Sequence, residues 1–124
     1  MIKVAVCGAL GRMGTEVCNA VKESDGMTLS AQIDIAGDCY KTIEDAHKAC
    51  DIDVLVDFTQ PKSIYENAKY CLNNGIKIVI GTTGLKDEEI EHLKKLSTEN
   101  KTGCLIAPNF STGAVLMIVK VLIC

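Results

Sequence analysis

The first loop of the chain carries three glycines at a spacing that can hold a phosphate group. Gly8, Gly11 and Gly14 follow the apolar run Ile2–Cys7 and precede a segment with helical periodicity. We assign Gly8 to a tight turn, Gly11 to the close approach of a pyrophosphate and Gly14 to close packing of helix on strand. The free N–H groups that begin the helix would face the phosphate charge. The spacing departs from the commoner Gly-x-Gly-x-x-Gly because Leu10 stands where glycine often does, so a purely structural role for the glycines stays open.

The second chemically informative residue is Asp34, which follows the predicted strand Met27–Ile33 and lies 20 residues after Gly14. At this position of a dinucleotide-binding domain, a carboxylate accepts hydrogen bonds from the adenosine ribose. A carboxylate also repels a 2′-phosphate, so Asp34 favours NAD(H) over NADP(H). Arg12 can offset that repulsion, which leaves NADP(H) open as a second cofactor. The alternative role for Asp34 is that of a solvated or capping acid at a strand end.

Two later loops carry residues that can surround a nicotinamide. The first reads Gly-Thr-Thr-Gly at positions 81–84, and its backbone can approach the nicotinamide riboside, although a plain tight turn explains it equally well. The second reads Ala-Pro-Asn-Phe-Ser at positions 107–111. There Asn109 can bond a carboxamide and Phe110 can cover the nicotinamide ring, with core packing as the alternative for Phe110. A further acid, Asp57, either lines the same cleft or caps the helix that follows it.

Short apolar runs alternate along the chain with segments of helical periodicity. This alternation predicts an α/β fold, with a parallel sheet covered by helices on both faces and joined by right-handed crossovers. Ligands of such sheets bind outside the carboxyl ends of the strands, where the strand order reverses. In the helix predicted at 86–96, acids at the start and Lys94 and Lys95 at the end match the helix dipole. Strands are predicted at Ile2–Cys7, Met27–Ile33, Val54–Asp57, 76–80 and 103–107. The other helices are predicted to begin at Gly11, at Thr42 with Asp45 in its cap, at Pro61 with a stop at Gly75, and at about Ser111, from which the last helix runs to the C-terminus.

Charge and composition exclude several classes of function. The net charge is −3, and the lysines and arginines are scattered, so no basic stripe could follow a nucleic-acid backbone. The apolar run at 114–124 is interrupted by Lys120 and is shorter than the ~20 residues that span a bilayer, and the N-terminus lacks a signal-peptide pattern. The seven cysteines show no Cys-x-x-Cys spacing, so we expect reduced thiols and no metal site. The expected location is the cytoplasm, without nucleic acid or membrane as partners.

Four segments of the chain resemble dihydrodipicolinate reductase (4-hydroxy-tetrahydrodipicolinate reductase), a family that acts in diaminopimelate and lysine biosynthesis in bacteria and plants. They lie at 6–14, 57–61, 81–84 and 107–113, in the family's order, and the resemblance extends over essentially all 124 residues. It implies a Rossmann-type, doubly wound parallel sheet that binds NADH or NADPH, in an oxidoreductase that transfers hydride to 4-hydroxy-tetrahydrodipicolinate. The resemblance assigns cofactor contacts to Gly8, Ala9, Leu10, Gly11, Arg12, Met13, Asp34, Gly81, Thr82, Thr83, Ala107, Pro108, Asn109 and Phe110.

The resemblance also implies parts that these 124 residues do not include. Family members carry a second domain for substrate and tetramerisation, with a His-His-x-x-Lys catalytic segment beyond the equivalent of Cys124. We therefore expect residues 1–124 to form a dinucleotide-binding domain with a truncated last helix, to contain no catalytic residue and to bind cofactor without turnover. The full-length relative is expected to be a homotetramer. Where some members have an arginine for the 2′-phosphate, this chain has Ile35, which again favours NAD(H).

Two alternatives to this interpretation remain. The first is a free-standing module that senses NAD(H) or CoA and regulates a partner, for which the missing second domain is the argument. The second is another Rossmann dehydrogenase, of the aspartate or homoserine type. Such an enzyme would share the glycine loop but would not be expected to carry both later loop motifs.

Overall fold

Five parallel strands form one sheet in the computed structural model, which describes residues 1–82, 84–107 and 112–123. The strands lie in the order β2-β1-β3-β4-β5, and the predicted α/β architecture is confirmed. The strands are β1 (Ile2–Cys7), β2 (Met27–Ile33), β3 (Val54–Asp57), β4 (Lys77–Ile80) and β5 (Cys104–Ile106). The helices are α1 (Arg12–Glu23), α2 (Ile43–Ala49), α3 (Pro61–Asn73), α4 (Asp87–Asn100) and α5 (Thr112–Ile123).

Side chains that alternate along each strand explain why helices cover both faces of the sheet. Val4 and Val6 of β1 point to one face, where they belong to the cluster formed with α1 and α5. Ala5 and Cys7 point to the other face, which α2, α3 and α4 cover. Strands that are buried on both faces have nearly continuous apolar sequences, which is why the bounds of β1 match the prediction. The bounds of β2 also match, although its apolar residues alternate with Thr28, Ser30 and Gln32.

The strand order reverses between β1 and β3, and this creates the crevice in which ligands of such sheets bind. From β1 the chain passes through α1 to β2 on one side, whereas from β3 it passes through α3 to β4 on the other. Outside β2, Tyr40 forms an isolated parallel bridge with Ile33. The sheet is therefore of the Rossmann type, with the strand that would lie beyond β2 reduced to this single bridge.

Local signals at the helix ends mostly act as predicted. The Thr42 hydroxyl accepts the Asp45 N–H at 3.1 Å to cap α2, Pro61 is the first residue of α3, and Gly75 adopts a φ of 74° after that helix. Strands β4 and β5 are shorter than predicted. These caps fix where α2 and α3 begin, and therefore where the loops after β2 and β3 end.

Helix α4 is the main departure from the predicted bounds. It continues to Asn100, so Lys94 and Lys95 lie inside the helix and its last turn holds no basic residue. The helix outlasts its apolar periodicity because a hydroxyl stabilises its end: the Ser97 O–H donates to the Thr102 carbonyl at 2.6 Å. The predicted match between these two lysines and the C-terminal dipole is therefore wrong.

No helix within residues 1–82, 84–107 and 112–123 is long and apolar enough to cross a membrane. Within the same residues, no group of three or more His, Cys, Asp or Glu side chains could hold a metal ion.

Candidate functional site

The three glycines of the loop between β1 and α1 have different structural roles. Gly8 has a φ of +78°, and a Cβ there would lie 3.2 Å from the Phe58 carbonyl carbon. A Cβ on Gly14 would overlap the Gly8 carbonyl oxygen, so α1 can pack this closely only with glycine. Gly11 differs, because its φ of −71° suits any residue and a Cβ would meet only the Gly8 oxygen, at 3.4 Å, in the described part of the chain. The fold requires glycine at positions 8 and 14, whereas the open space beside Gly11 is what the approach of a ligand requires.

The start of α1 presents backbone N–H groups that the helix itself does not use. Gly11 is the N-cap residue, and the first helical hydrogen bond runs from the Thr15 N–H to its carbonyl at 2.9 Å. The N–H groups of residues 8–11 are bonded within the loop, to β2 or to Asp34. The N–H groups of residues 12–14 precede the helical ladder and have no acceptor among the described residues. Together with the positive end of the helix dipole, they can bind an anion.

Asp34 follows β2 with its carboxylate turned towards the glycine loop. Its Oδ2 accepts the Leu10 N–H at 2.9 Å and its Oδ1 accepts the Ala36 N–H at 3.1 Å. These two bonds, that from Leu10 first, hold the pKa of Asp34 below its ordinary value. A carboxylate offers about four acceptor positions, so two remain for the hydroxyls of a ribose. The neighbouring Ile35 is 90 % exposed and brings no positive charge.

A cavity of 510 Å³ opens beside Asp34, between the loops that follow β1, β2 and β3. Gly8 and Gln60 line it, and so do two lysines, Lys41 and Lys62. The Lys41 ammonium donates to the carbonyl of the loop after β2. Neither lysine was among the residues predicted for the site from the sequence, because the two are 21 positions apart and belong to different loop and helix segments. The cavity thus lies at the reversal of strand order, on the α2 and α3 side of Asp34.

Asp57, the last residue of the central strand β3, is fully buried beneath this crevice. Its Oδ1 accepts both the backbone N–H and the hydroxyl of Thr59, at 2.8 and 2.6 Å. Its Oδ2 accepts the Asn67 side-chain amide of α3 at 3.0 Å. Gln60 is the N-cap residue of α3, so the interpretation of Asp57 as the helix cap is wrong. Thr59 lines the cavity, and Asp57 supports it from below.

Two thiols lie close to the Asp57 carboxylate. Burial raises the pKa of Cys7 and of Cys71 far above the ordinary value of a thiol, and the negative charge of Asp57 raises both further. Both thiols therefore stay protonated at neutral pH. They fill space under the crevice and do not act as nucleophiles.

The loops after β4 and β5 begin at the same edge of the sheet. The Gly81 N–H donates to the last carbonyl of β3 at 2.9 Å, and the Thr82 hydroxyl donates to the Thr59 carbonyl at 3.2 Å. Ala107 is buried, and its N–H donates to the last carbonyl of β4 at 2.7 Å. The structure thus brings together the predicted positions 8–13, 34, 81, 82 and 107 along one edge. Four other predicted site residues lie outside the described residues: Thr83, Pro108, Asn109 and Phe110.

One known protein family and its curated members match most of the chain. The family described as "Dihydrodipicolinate reductase, N-terminus" matches residues 2–110. A 4-hydroxy-tetrahydrodipicolinate reductase of Cutibacterium acnes is 47 % identical over 118 residues, which are 94 % of this chain and 45 % of that protein. The enzyme of the same name from Streptococcus suis is 43 % identical over 124 residues, 94 % of this chain and 48 % of its own length. The chain thus spans about half the length of the curated relatives that it matches.

Solved structures show the same relationship in three dimensions. A dipicolinate-bound dihydrodipicolinate reductase from Paenisporosarcina superposes with a TM-score of 0.83 at 35 % identity, over 95 % of this chain and 51 % of that chain. A myo-inositol 2-dehydrogenase from Lactobacillus plantarum superposes with a TM-score of 0.74 at 17 % identity, over 87 % of this chain and 36 % of its own. At that identity the second likeness shows the fold alone, which is of the Rossmann type.

Proposed function

The chain belongs to the dihydrodipicolinate reductase family, and we propose that it binds a nicotinamide dinucleotide across the carboxyl edge of its sheet. The proposal is carried by one observation: two recognition groups meet at a single loop. The N–H groups of residues 12–14 suit a diphosphate, and the Asp34 carboxylate suits a ribose. Because the Leu10 N–H bonds Asp34 directly, the glycine loop and the carboxylate form one rigid unit.

The strand order supports one orientation of the dinucleotide in this proposal. β2 flanks β1 on one side, so Asp34 receives the adenosine ribose and the start of α1 receives the diphosphate. β3 and β4 flank β1 on the other side, so the nicotinamide half extends over Thr59, Gly81 and Thr82. When bound, NADH or NADPH supplies the hydride of the family's reaction. The family resemblance adds contacts from Thr83, Ala107, Pro108, Asn109 and Phe110.

The charge around Asp34 supports a preference for NADH over NADPH. The carboxylate lies where a 2′-phosphate would stand and keeps its negative charge, since its pKa is lowered. Ile35 supplies no cation to offset that charge. The cations near Asp34 that can do so are Arg12, at the start of α1, and Lys41 and Lys62, which line the cavity beside it.

We also propose the role of the complete protein from its family. It transfers hydride to 4-hydroxy-tetrahydrodipicolinate in diaminopimelate and lysine biosynthesis, as a cytoplasmic homotetramer. The sequence contains no His-His-x-x-Lys segment, which in the family supplies the catalytic groups. In this proposal residues 1–124 act as the cofactor-binding domain and bind NADH without reducing substrate.

Titration of the 124-residue chain with NADH tests the proposal, because the fluorescence of the reduced nicotinamide reports binding. We expect saturation below millimolar NADH and no oxidation of NADH when 4-hydroxy-tetrahydrodipicolinate is added. A fluorescence change that does not saturate at millimolar NADH would contradict the assignment of a cofactor site.

Replacement of Asp34 by alanine tests the ribose contact and the cofactor preference together. Loss of charge-assisted hydrogen bonds, each worth about 1.5–3 kcal/mol, should raise the Kd for NADH at least about tenfold. The Kd for NADPH should rise less, because the repulsion of its 2′-phosphate disappears with the charge. Asp38→Ala removes the same charge from the exposed part of the same loop and serves as the matched control. Equal weakening of NADH and NADPH would remove Asp34 from the ribose role.

A further inference from the structure

Asp57 is the most deeply buried acid in the described part of the chain, and it has no exposed surface with which to touch the cofactor itself. It is 0 % exposed, and no lysine or arginine among the described residues forms an ion pair with it. Burial of a carboxylate without a cation is costly unless hydrogen bonds replace its water. Asp57 meets that condition with three bonds, two from Thr59 and one from Asn67. The partners of the Asp57 carboxylate indicate what this buried group does.

The three bonds fix the backbone that follows β3. Because Asp57 accepts both the N–H and the O–H of Thr59, that residue cannot rotate or move away from the strand end without breaking two bonds. Asn67 reaches Asp57 from the first half of α3 and holds the carboxylate in the orientation that these bonds require. The helix, the carboxylate and the loop thus form one connected unit.

The same unit continues into the next loop. The Thr59 carbonyl accepts the Thr82 hydroxyl at 3.2 Å, and the Asp57 carbonyl accepts the Gly81 N–H at 2.9 Å. A Cβ on Gly81 would overlap the Phe58 ring, so the two loops are also in direct van der Waals contact. A path of hydrogen bonds therefore runs from α3 through Asp57 and Thr59 to the loop after β4.

From this path we infer that Asp57 and Asn67 are positioning residues, which hold the loops after β3 and β4 together to receive the nicotinamide half of the dinucleotide. The inference rests on the proposed function. Asn67 also lines the cavity beside Asp34, but neither Asp57 nor Asn67 forms a hydrogen bond with Asp34, whose partners are the N–H groups of Leu10 and Ala36. Loss of the positioning bonds should therefore weaken binding of the nicotinamide half and leave binding of the ADP-ribose half unchanged.

Calorimetric titration of the 124-residue chain with NADH and with ADP-ribose separates these two halves. In Asn67→Ala, the Kd for NADH should rise about tenfold, while the Kd for ADP-ribose stays within twofold. Asn73→Ala, at the exposed end of the same helix, is the matched control and should change neither Kd. An equal rise in both constants, or no rise in either, overturns the inference.

Two further measurements keep the test decisive. If Asn67→Ala does not fold, as circular dichroism would show, then Asp57→Asn replaces it, because asparagine keeps the volume but presents a donor towards Asn67; the same split between ligands is expected. If the unmodified chain binds ADP-ribose but gains nothing from the nicotinamide, the positioning role fails while the adenosine half of the proposed function stands. If it binds neither ligand, the proposed function itself fails.

Discussion

Replacement of Gly11 by alanine should separate cofactor binding from folding stability. Its φ of −71° and ψ of 172° are accessible to alanine, and a Cβ would meet only the Gly8 oxygen at 3.4 Å in the described part of the structure. Alanine is a poorer N-cap than glycine by about 0.5–1 kcal/mol. It also restricts the unfolded chain, which stabilises the protein by about 0.4–1 kcal/mol. These effects offset each other, so the free energy of unfolding should change by less than about 1 kcal/mol.

The effect of the same substitution on binding should be large. The methyl group projects into the open space at the start of α1, where a diphosphate would approach the N–H groups of residues 12–14. Loss of one charge-assisted hydrogen bond costs about 1.5–3 kcal/mol, which corresponds to a rise of roughly 10- to 100-fold in the Kd for NADH. NADH fluorescence measures the Kd, and urea unfolding measures the stability.

Gly14→Ala provides the contrasting variant in the same loop. A Cβ there would overlap the Gly8 carbonyl oxygen and lie 3.0 Å from the Ala9 Cα. Because those atoms belong to the backbone, the helix must move, at a cost of about 1–3 kcal/mol or more. The reasoning is refuted if Gly11→Ala destabilises the fold as much as Gly14→Ala does, or if it binds NADH within twofold of the unmodified chain.

The Asp34 carboxylate and the buried thiols should each respond to pH in a measurable way. The pKa of Asp34 is lowered from its ordinary value of 3.8 in the folded chain, first by the Leu10 N–H, so its bonds contribute stability that is lost as the pH falls below that value through the lowered pKa. In urea unfolding, the difference in stability between the unmodified chain and Asp34→Asn should stay constant above about pH 5 and shrink as the pH falls below about 4; a difference that does not shrink would contradict this. Because burial raises the pKa of Cys7 and Cys71, iodoacetamide at pH 8 should label the partly exposed Cys39 faster than either of them. Peptide mass spectrometry can follow the labelling, and equal rates at Cys7 and Cys39 would contradict this expectation.

The elements that could be predicted from the sequence are those in which local chemistry and tertiary packing agree. Strand β1 has the predicted bounds because it is mostly apolar on both faces, and β2 because its apolar residues alternate with polar ones. Helix α2 begins after Thr42 because the Thr42 hydroxyl caps it. Helix α4 ends later than predicted because its last turn, around Ser97, is stabilised by a hydroxyl hydrogen bond and not by apolar periodicity. Hydrophobic patterns locate the core, whereas polar helix ends depend on partners that the pattern does not show.

The candidate site could also be predicted only in part from the sequence. The glycine spacing and the position of Asp34 are sequence properties, and the structure places both at one loop. The cavity lysines Lys41 and Lys62 were missed because they come together only when the loops after β2 and β3 converge. Asn67 was missed for a similar reason, since nothing in the sequence of α3 indicates that its amide meets the end of β3.

Asp34 and Asp57 show how burial divides the work between two acids of one type. Each follows or ends a strand at the same edge of the sheet, although the sequence assigned only Asp34 to a ligand and left Asp57 as an acid that lines the cleft or caps a helix. Asp34 is partly exposed, accepts two backbone N–H groups and keeps acceptor positions free, so it can exchange water for the hydroxyls of a ligand. Asp57 is fully buried, and donors of the protein already take up both of its oxygens, so its remaining effect is on the position of its neighbours. The exposed acid is therefore suited to recognition and the buried one to preorganisation, which is the division that the substitutions of Asp34 and Asn67 are designed to measure.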